Sequence, residues 1–239
     1  MADTSPKLQA LIVGAGAGLS ASFARQLSAA GYAVHLAARN TDKLETLAAE
    51  TGAALHMLDG TDAKGTSALI DGLPGDLRVA CYNPSARLRG PVAELDPEAV
   101  RQAVEVTAFG AFVLGQAAAK RMLAQPMENG RRGTILFTGA SAGVKGFAQS
   151  APFAMGKFAQ RGLAQSMARE LHPKGIHVAW VNIDGGIRNA SRPERVESAD
   201  NPDSMLDPDA IAQEYMHLIS QHRSAWSDEL VLRPWVERF

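Results

Sequence analysis

Apolar and polar positions along this chain follow two periods, and the periods take turns. Continuous or every-other apolar runs, the mark of strands, lie near 8–13, 33–38, 53–58, 77–83, 133–138, 176–183 and 229–232. Between them apolar residues recur three and four apart, as on one helical face, near 18–30, 41–51, 62–72, 97–124, 153–172 and 208–221. Several helix starts carry local signals. Thr41-Asp42 with Glu45 resembles a capping box, and Asp96-Pro97 and Asp207-Pro208 each put proline at the first helical position. About seven strands alternating with helices predict an α/β fold, a doubly wound parallel sheet with helices on both faces and right-handed crossovers.

Two stretches are too long for simple connections. Residues 139–152 are rich in Gly, Ala and Ser, and residues 185–206 in Ser, Asn, Asp and Pro. Both follow the C-terminal end of a strand, where ligands sit in open α/β sheets. Between Asn189 and Asp203 the only large apolar residue is Val196, too little to offset the cost of ordering the chain. Residues 185–206 are therefore expected to form a mobile substrate lid, hinged at Gly185 and Gly186. No linker or repeat interrupts the alternation, so residues 1–239 are expected to form a single domain.

The most telling stretch is Gly14-Ala15-Gly16-Ala17-Gly18-Leu19-Ser20. It follows the first apolar run and opens a helical pattern through Leu19, Phe23 and Leu27. Glycines let backbone approach a pyrophosphate, and the free amides of a first helical turn point at its charge. A glycine turn also occurs with no ligand, but its position between the first strand and a second favours a dinucleotide-binding, Rossmann-type unit. The second strand ends at Ala38-Arg39-Asn40, with no acid before Asp42. An NAD binder usually places a carboxylate here, whereas a 2′-phosphate wants a guanidinium, so NADP(H) is expected in preference to NAD(H). Asp59, after the third strand, is either an acceptor for the adenine amino group or a solvated loop carboxylate.

Composition narrows the class. Among 239 residues, 24 are Lys or Arg and 25 Asp or Glu, which gives no electrostatic case for nucleic acid or an anionic membrane. No apolar run is long enough to span a bilayer, and Met-Ala-Asp-Thr-Ser-Pro lacks a signal-peptide pattern, so a cytoplasmic location is expected. The single cysteine, Cys81, precludes an internal disulfide and has no metal-binding partners at ligand spacing, so no metal is expected.

Taken together, these segments resemble the short-chain dehydrogenase/reductase family over nearly the whole chain. Gly14 to Ser20 resembles the family's T-G-x-x-x-G-x-G turn, with Ser20 in place of the last glycine. Tyr82-Asn83-Pro84-Ser85 resembles its N-N-A-G motif, keeping Asn83, and Gly133 to Gly143 resembles its fifth strand and serine loop. Phe153-Ala154-Met155-Gly156-Lys157 sits where the family has Y-x-x-x-K, and Val181 to Gly185 resembles the stretch before its P-G turn. The resemblance implies cofactor contacts at Gly14, Gly16, Gly18, Leu19, Arg39, Asp59, Asn83, Lys157, Gly185 and Ile187. It also implies a small-molecule substrate and a homodimer or homotetramer.

The departures fall on the chemistry. The resemblance places Phe153 at the family's proton-donating tyrosine, Ala140 at its substrate-polarising serine with Ser141 adjacent, and Thr107 at its helix asparagine. Lys157 is retained. A phenyl ring has no ionisable proton, so the candidates for catalysis are Lys157 and Ser141, with Lys145, Ser150 and Tyr82 as other possible donors. Two functions stay open: an NADP-dependent oxidoreductase acting on a carbonyl, alcohol or activated double bond with a non-standard proton donor, or a catalytically silent dinucleotide-binding protein that senses cofactor or serves as a structural subunit. The aromatic tail, Trp226 to Phe239, is expected to cover a subunit interface or the substrate cleft.

Overall fold

The unbroken apolar runs become strands buried on both faces. The computed structural model describes residues 8–189 and 191–237. In chain order the strands are β1 (Gln9–Val13), β2 (Ala33–Ala38), β3 (Ala54–Met57), β4 (Leu77–Tyr82), β5 (Gly133–Thr138), β6 (Ile176–Ile183), β7 (Gly186–Ile187), β8 (Met205–Leu206) and β9 (Glu229–Leu232). Seven of them form one sheet, ordered β3-β2-β1-β4-β5-β6-β9, with every pairing parallel. Helices on both faces seal the central strands from water, which is why β1, β4, β5 and β6 read as continuous apolar runs. The edge strands β3 and β9 are half-exposed and tolerate polar positions.

The helices are α1 (Leu19–Ala29), α2 (Glu45–Thr51), α3 (Ala63–Asp71), α4 (Pro97–Val104), α5 (Gly110–Ala124), α6 (Ala151–Leu171) and α7 (Pro208–Ser220). On one face α1 packs against α7, where Phe23 meets Tyr215 edge-on with ring centroids 5.3 Å apart. The other face is covered by α3, α5 and α6. Asp96 and Asp207 cap α4 and α7, each accepting first-turn amides as the sequence predicts. The capping box at Thr41 does not form. Asn40 Oδ1 instead accepts the Asp42 amide at 2.9 Å, Asp42 to Leu44 make a tight turn, and α2 begins at Glu45.

The predicted helix over 97–124 is interrupted by a π turn, Glu105–Phe109. A π turn frees carbonyls from the α-helical ladder, and here side chains claim them. Tyr82 Oη donates to Val106 O at 2.6 Å, and Gln160 Nε2 donates to Thr107 O at 3.3 Å. The 185–206 segment is not featureless either. β7 pairs with β8, and Arg188 ties its start to Asp207. Among the described residues no helix is long and apolar enough to cross a membrane.

Candidate functional site

The ends of β1 to β6 open a cavity of about 700 Å³ where the strand order turns from β1 to β4. This is the switch point at which open α/β sheets bind ligands. The glycine turn forms one wall. Gly14 has φ +82°, and Pro84 would lie 2.6 Å from any Cβ placed there, so backbone conformation and space both demand glycine. Gly16 has no atom within 4 Å of its missing Cβ, which leaves its backbone open to the cavity. Gly18 caps α1, whose first turn carries no acidic residue and no side-chain cap. The Ala21 and Ser22 amides donate to Gly18 O at 2.9 and 3.2 Å, and the Leu19 and Ser20 amides precede this first helical bond. Asn83 Nδ2 donates to Gly14 O at 3.3 Å and Ser20 Oγ at 2.8 Å. Ser20, where the family pattern has glycine, thus helps fix the turn.

At the β2 end of the cavity Arg39 and Lys43 line the wall with Asp59. Asp59 Oδ1 accepts from Thr61 N at 2.9 Å and Thr61 Oγ1 at 2.8 Å, and these bonds hold its carboxyl below the usual carboxylate range. Part of Asp59 therefore shapes its own turn.

At the opposite end lie Phe153, Ala140 and Lys157, with Gly185 and Ile187 close by on the same wall. Phe153 packs with Ala140 and Ala142. Lys157, one helical turn further along α6, is buried at 2% exposure. Its Nζ donates to Thr138 O at 2.5 Å and Gln160 Oε1 at 3.2 Å. Burial, helped by the Arg87 charge, lowers its pKa to about 7. Gln160 joins Lys157 to Thr107 O, and Thr107 Oγ1 accepts the Ala86 amide at 3.1 Å. The serine-loop glycines Gly139 and Gly143 lie against Trp180, where any Cβ would collide with the indole.

All the sequence-predicted cofactor residues line this one cavity, but the other proton-donor candidates are less well placed. Ser141 is off its wall, as is Thr107 at the family's asparagine position. Lys145 turns over the Phe147 ring at 5.5 Å, and Ser150 heads α6. Tyr82 reaches the wall, yet burial pushes its pKa up and its hydroxyl is committed to Val106. Sequence reasoning missed Gln160, which shares the α6 face of Phe153 and Lys157 at i+7 and i+3; that spacing could have found it. It also missed Ser85, Arg87, Arg192 and Arg195, all on the wall. The two ends of the tail lie apart. Trp226 stacks on His177 near the start of β6, with centroids 4.8 Å apart, so it covers the end of the sheet remote from the cavity. Trp235 reaches Asp203 Oδ2 at 3.3 Å; Phe239 lies outside the described residues. Among the described residues no trio of His, Cys, Asp or Glu could hold a metal.

Comparison with known proteins agrees with this architecture. Residues 9–195 match the short chain dehydrogenase family. D-erythrulose reductase of Gallus gallus is 30% identical over 193 residues, covering 78% of this chain and 76% of that protein. L-2,3-butanediol dehydrogenase of Corynebacterium glutamicum is 29% identical over 176 residues, 70% of this chain and 67% of the relative. Among solved structures, a short-chain dehydrogenase from Rhodopseudomonas palustris shares 33% identity at a TM-score of 0.78, covering 96% of this chain and all of the other (100%). A metagenomic short-chain oxidoreductase in complex with NADP shares 25% identity at a TM-score of 0.80, over 96% and 98% of the two chains. With the matched sequence spanning β1 to the 185–206 segment and the cavity at the switch point, the chain belongs to the short-chain dehydrogenase family of NAD(P)-binding oxidoreductases.

Proposed function

We propose that this protein is an NADP(H)-dependent oxidoreductase acting on a carbonyl, alcohol or activated double bond, with a proton donor other than tyrosine. The observation that carries this reading is the pairing, in one cavity, of a basic β2 end at Arg39 and Lys43 with the buried Lys157 beside Phe153. The residues present fit a dinucleotide: the open space at Gly16 leaves room that a side chain would fill. Gly14, Gly16, Gly18 and Leu19 would hold the pyrophosphate, Arg39 and Lys43 the 2′-phosphate, Asp59 the adenine side, and Asn83 would brace the turn. Lys157, Gly185 and Ile187 would flank the nicotinamide half. When bound, the cofactor supplies or accepts the hydride.

The chain's part is to position and to manage a proton. Phe153 gives the reacting region an apolar ring with no proton to move. Lys157 can carry one: two of its three ammonium donors are held by Thr138 O and Gln160 Oε1, leaving a third. With its pKa near 7, Nζ exchanges a proton within the neutral range. A second reading, a silent dinucleotide-binding subunit, draws on Phe153 and Ala140, neither of which has a transferable proton. Exposed Phe109, Phe112, Met155 and Phe158 on the π turn, α5 and α6 support self-association as a homodimer or homotetramer. Calorimetric titration tests the cofactor. NADPH should bind more tightly than NADH, and Arg39→Ala should erase most of that gap; equal affinities in the parent would overturn the NADP assignment. NADPH consumption across a panel of ketones and enones then separates the two functions, and no turnover on any of them would favour the silent subunit.

A further inference from the structure

Basic side chains outnumber carboxylates on the cavity wall six to one, and the single carboxylate, Asp59, stands at the far β3 end. Arg39 and Lys43 are matched to the adenosine side, and the pyrophosphate is a task for glycine-turn amides. Arg87, Arg192 and Arg195 are left over. Arg87 follows the β4 end, where the Ala86 amide is pinned by Thr107 Oγ1, and its guanidinium lies over the Phe153 ring, 4.7 Å from the centroid. That puts a cation directly above the residue one turn from Lys157. Arg192 and Arg195 arrive from the other side, on the connection between β7 and β8. The turn bearing them is closed by backbone bonds: Asn189 N to Arg195 O at 2.9 Å, Arg192 N to Asn189 O at 3.0 Å and Arg195 N to Arg192 O at 2.8 Å. Arg195 is packed against Gly186, with Nη1 2.7 Å from where a Cβ would stand.

Among the described residues none of these three arginines forms an ion pair. Glu197 and Asp207 are engaged by Arg188 and Asp184 by Arg233, while Glu194, exposed between Arg192 and Arg195 in the chain, pairs with neither. The crowding is electrostatically real, because Arg195, Arg89 and Arg192 all act to lower the Arg87 pKa alongside burial. Arg87 and Arg192 keep exposed surface and Arg195 is half-buried, and like charges gathered on a concave wall favour an anion there and focus its approach. A planar guanidinium matches carboxylate or phosphate oxygens two at a time.

Building on the dinucleotide reading, we propose that the substrate carries an anionic oxygen group, a carboxylate or phosphate, which Arg87 holds against Phe153 while Arg192 and Arg195 close on it from the β7–β8 connection. The reacting carbonyl or hydroxyl then lies at the Lys157 end, and the anion fixes its orientation.

The test is calorimetric titration of the full chain, both cofactor-free and saturated with NADP, with three probes: benzoate, phenyl phosphate and neutral benzamide. At least one anion should bind about tenfold or more tightly than benzamide, a difference of about 1.4 kcal/mol. The better anion identifies the source, carboxylate or phosphate. Arg87→Gln and Arg195→Gln should each weaken that anion about tenfold, Arg87→Lys less, with NADPH affinity held within about twofold. If benzamide binds as well as both anions, the proposal is overturned. It is also overturned if the glutamine variants weaken NADPH and leave the anion unaffected, since the arginines would then serve the pyrophosphate and the dinucleotide reading would stand. Arginine-dependent anion binding to a protein that binds no NADPH would support the anion site and remove the dinucleotide reading.

Discussion

Lys157→Met isolates the energetic cost of the buried amine. Burial lowers Lys157 from 10.5 to about 7. At about 1.4 kcal/mol per unit, carrying the ammonium into the fold costs about 5 kcal/mol relative to the neutral amine. The sign follows from which state holds the proton. Below about pH 7 both folded and unfolded chains are protonated and the cost is felt in full. Between about 7 and 10.5 the unfolded chain keeps its proton and the folded chain does not, so stability rises by about 1.4 kcal/mol per pH unit. Methionine has similar length and no titration. It also leaves Thr138 O and Gln160 Oε1 without their donor, a loss of about 1–3 kcal/mol each that does not change with pH. The diagnostic quantity is therefore the slope. In urea denaturation of the cofactor-free protein, the stability of the parent relative to Lys157→Met should grow by about 3 kcal/mol from pH 7 to about pH 9.5. A difference that stays constant within about 1 kcal/mol over that range would refute the reasoning, because it would mean that Lys157 titrates in the fold as it does in water.

Other perturbations read other parts of the site. Phe153→Tyr combined with Ala140→Ser should raise NADPH-dependent reduction of simple ketones by about 10²–10⁴-fold, and a parent that already matches the double variant would contradict the role assigned to Phe153. Gly14→Ala forces a Cβ into the +82° conformation and against Pro84, so it should cost more than about 1 kcal/mol in thermal unfolding and abolish detectable NADPH binding in calorimetry; near-parental values for both would contradict the fit at the turn. If the 185–206 segment closes over ligand, hydrogen exchange in residues 191–204 should be fast without cofactor and slow with NADPH, while β7 and β8 stay protected in both states. Equal protection of 191–204 with and without NADPH would mark a fixed loop.

The fold was legible because its signals are local and redundant. Seven parallel strands were found to within a residue or two: the five inner ones because burial on both faces keeps them mostly apolar, the half-exposed edges β3 and β9 from their short apolar runs alone. Caps at Asp96 and Asp207 were equally plain, as their hydrogen bonds reach only two or three residues along the chain. Thr41 misled because Asn40 Oδ1 takes the Asp42 amide and the Leu44 amide, which a Thr41 hydroxyl would cap, is taken by the Thr41 carbonyl in a tight turn. The half of the cavity lined by the glycine turn and the end of β2 was readable from those segments. The other half was not, because it is assembled from distant pieces: Arg87 after β4, Gln160 on α6, Arg192 and Arg195 beyond β7. Only Gln160, three residues after Lys157 on the same helix, has a spacing that gives it away. The π turn was invisible for a related reason, since its freed carbonyls are answered by Tyr82 and Gln160, 24 and 53 residues away in sequence.

That turn has a consequence for how this chain can change over time. A π turn is an α-helix carrying one surplus residue, and the surplus rotates α5 relative to α4. Through Tyr82 it holds the end of β4, through Thr107 Oγ1 the start of the Arg87 loop, and through Gln160 and the close packing of Gly156 it holds α6. Deleting any one residue of 105–109 would return the helix to regular phase and withdraw all three attachments together. Substitutions at the outward-facing Glu105 or Phe109 would leave them in place. Across diverging copies of this gene, the length of the segment should therefore stay fixed while Glu105 drifts.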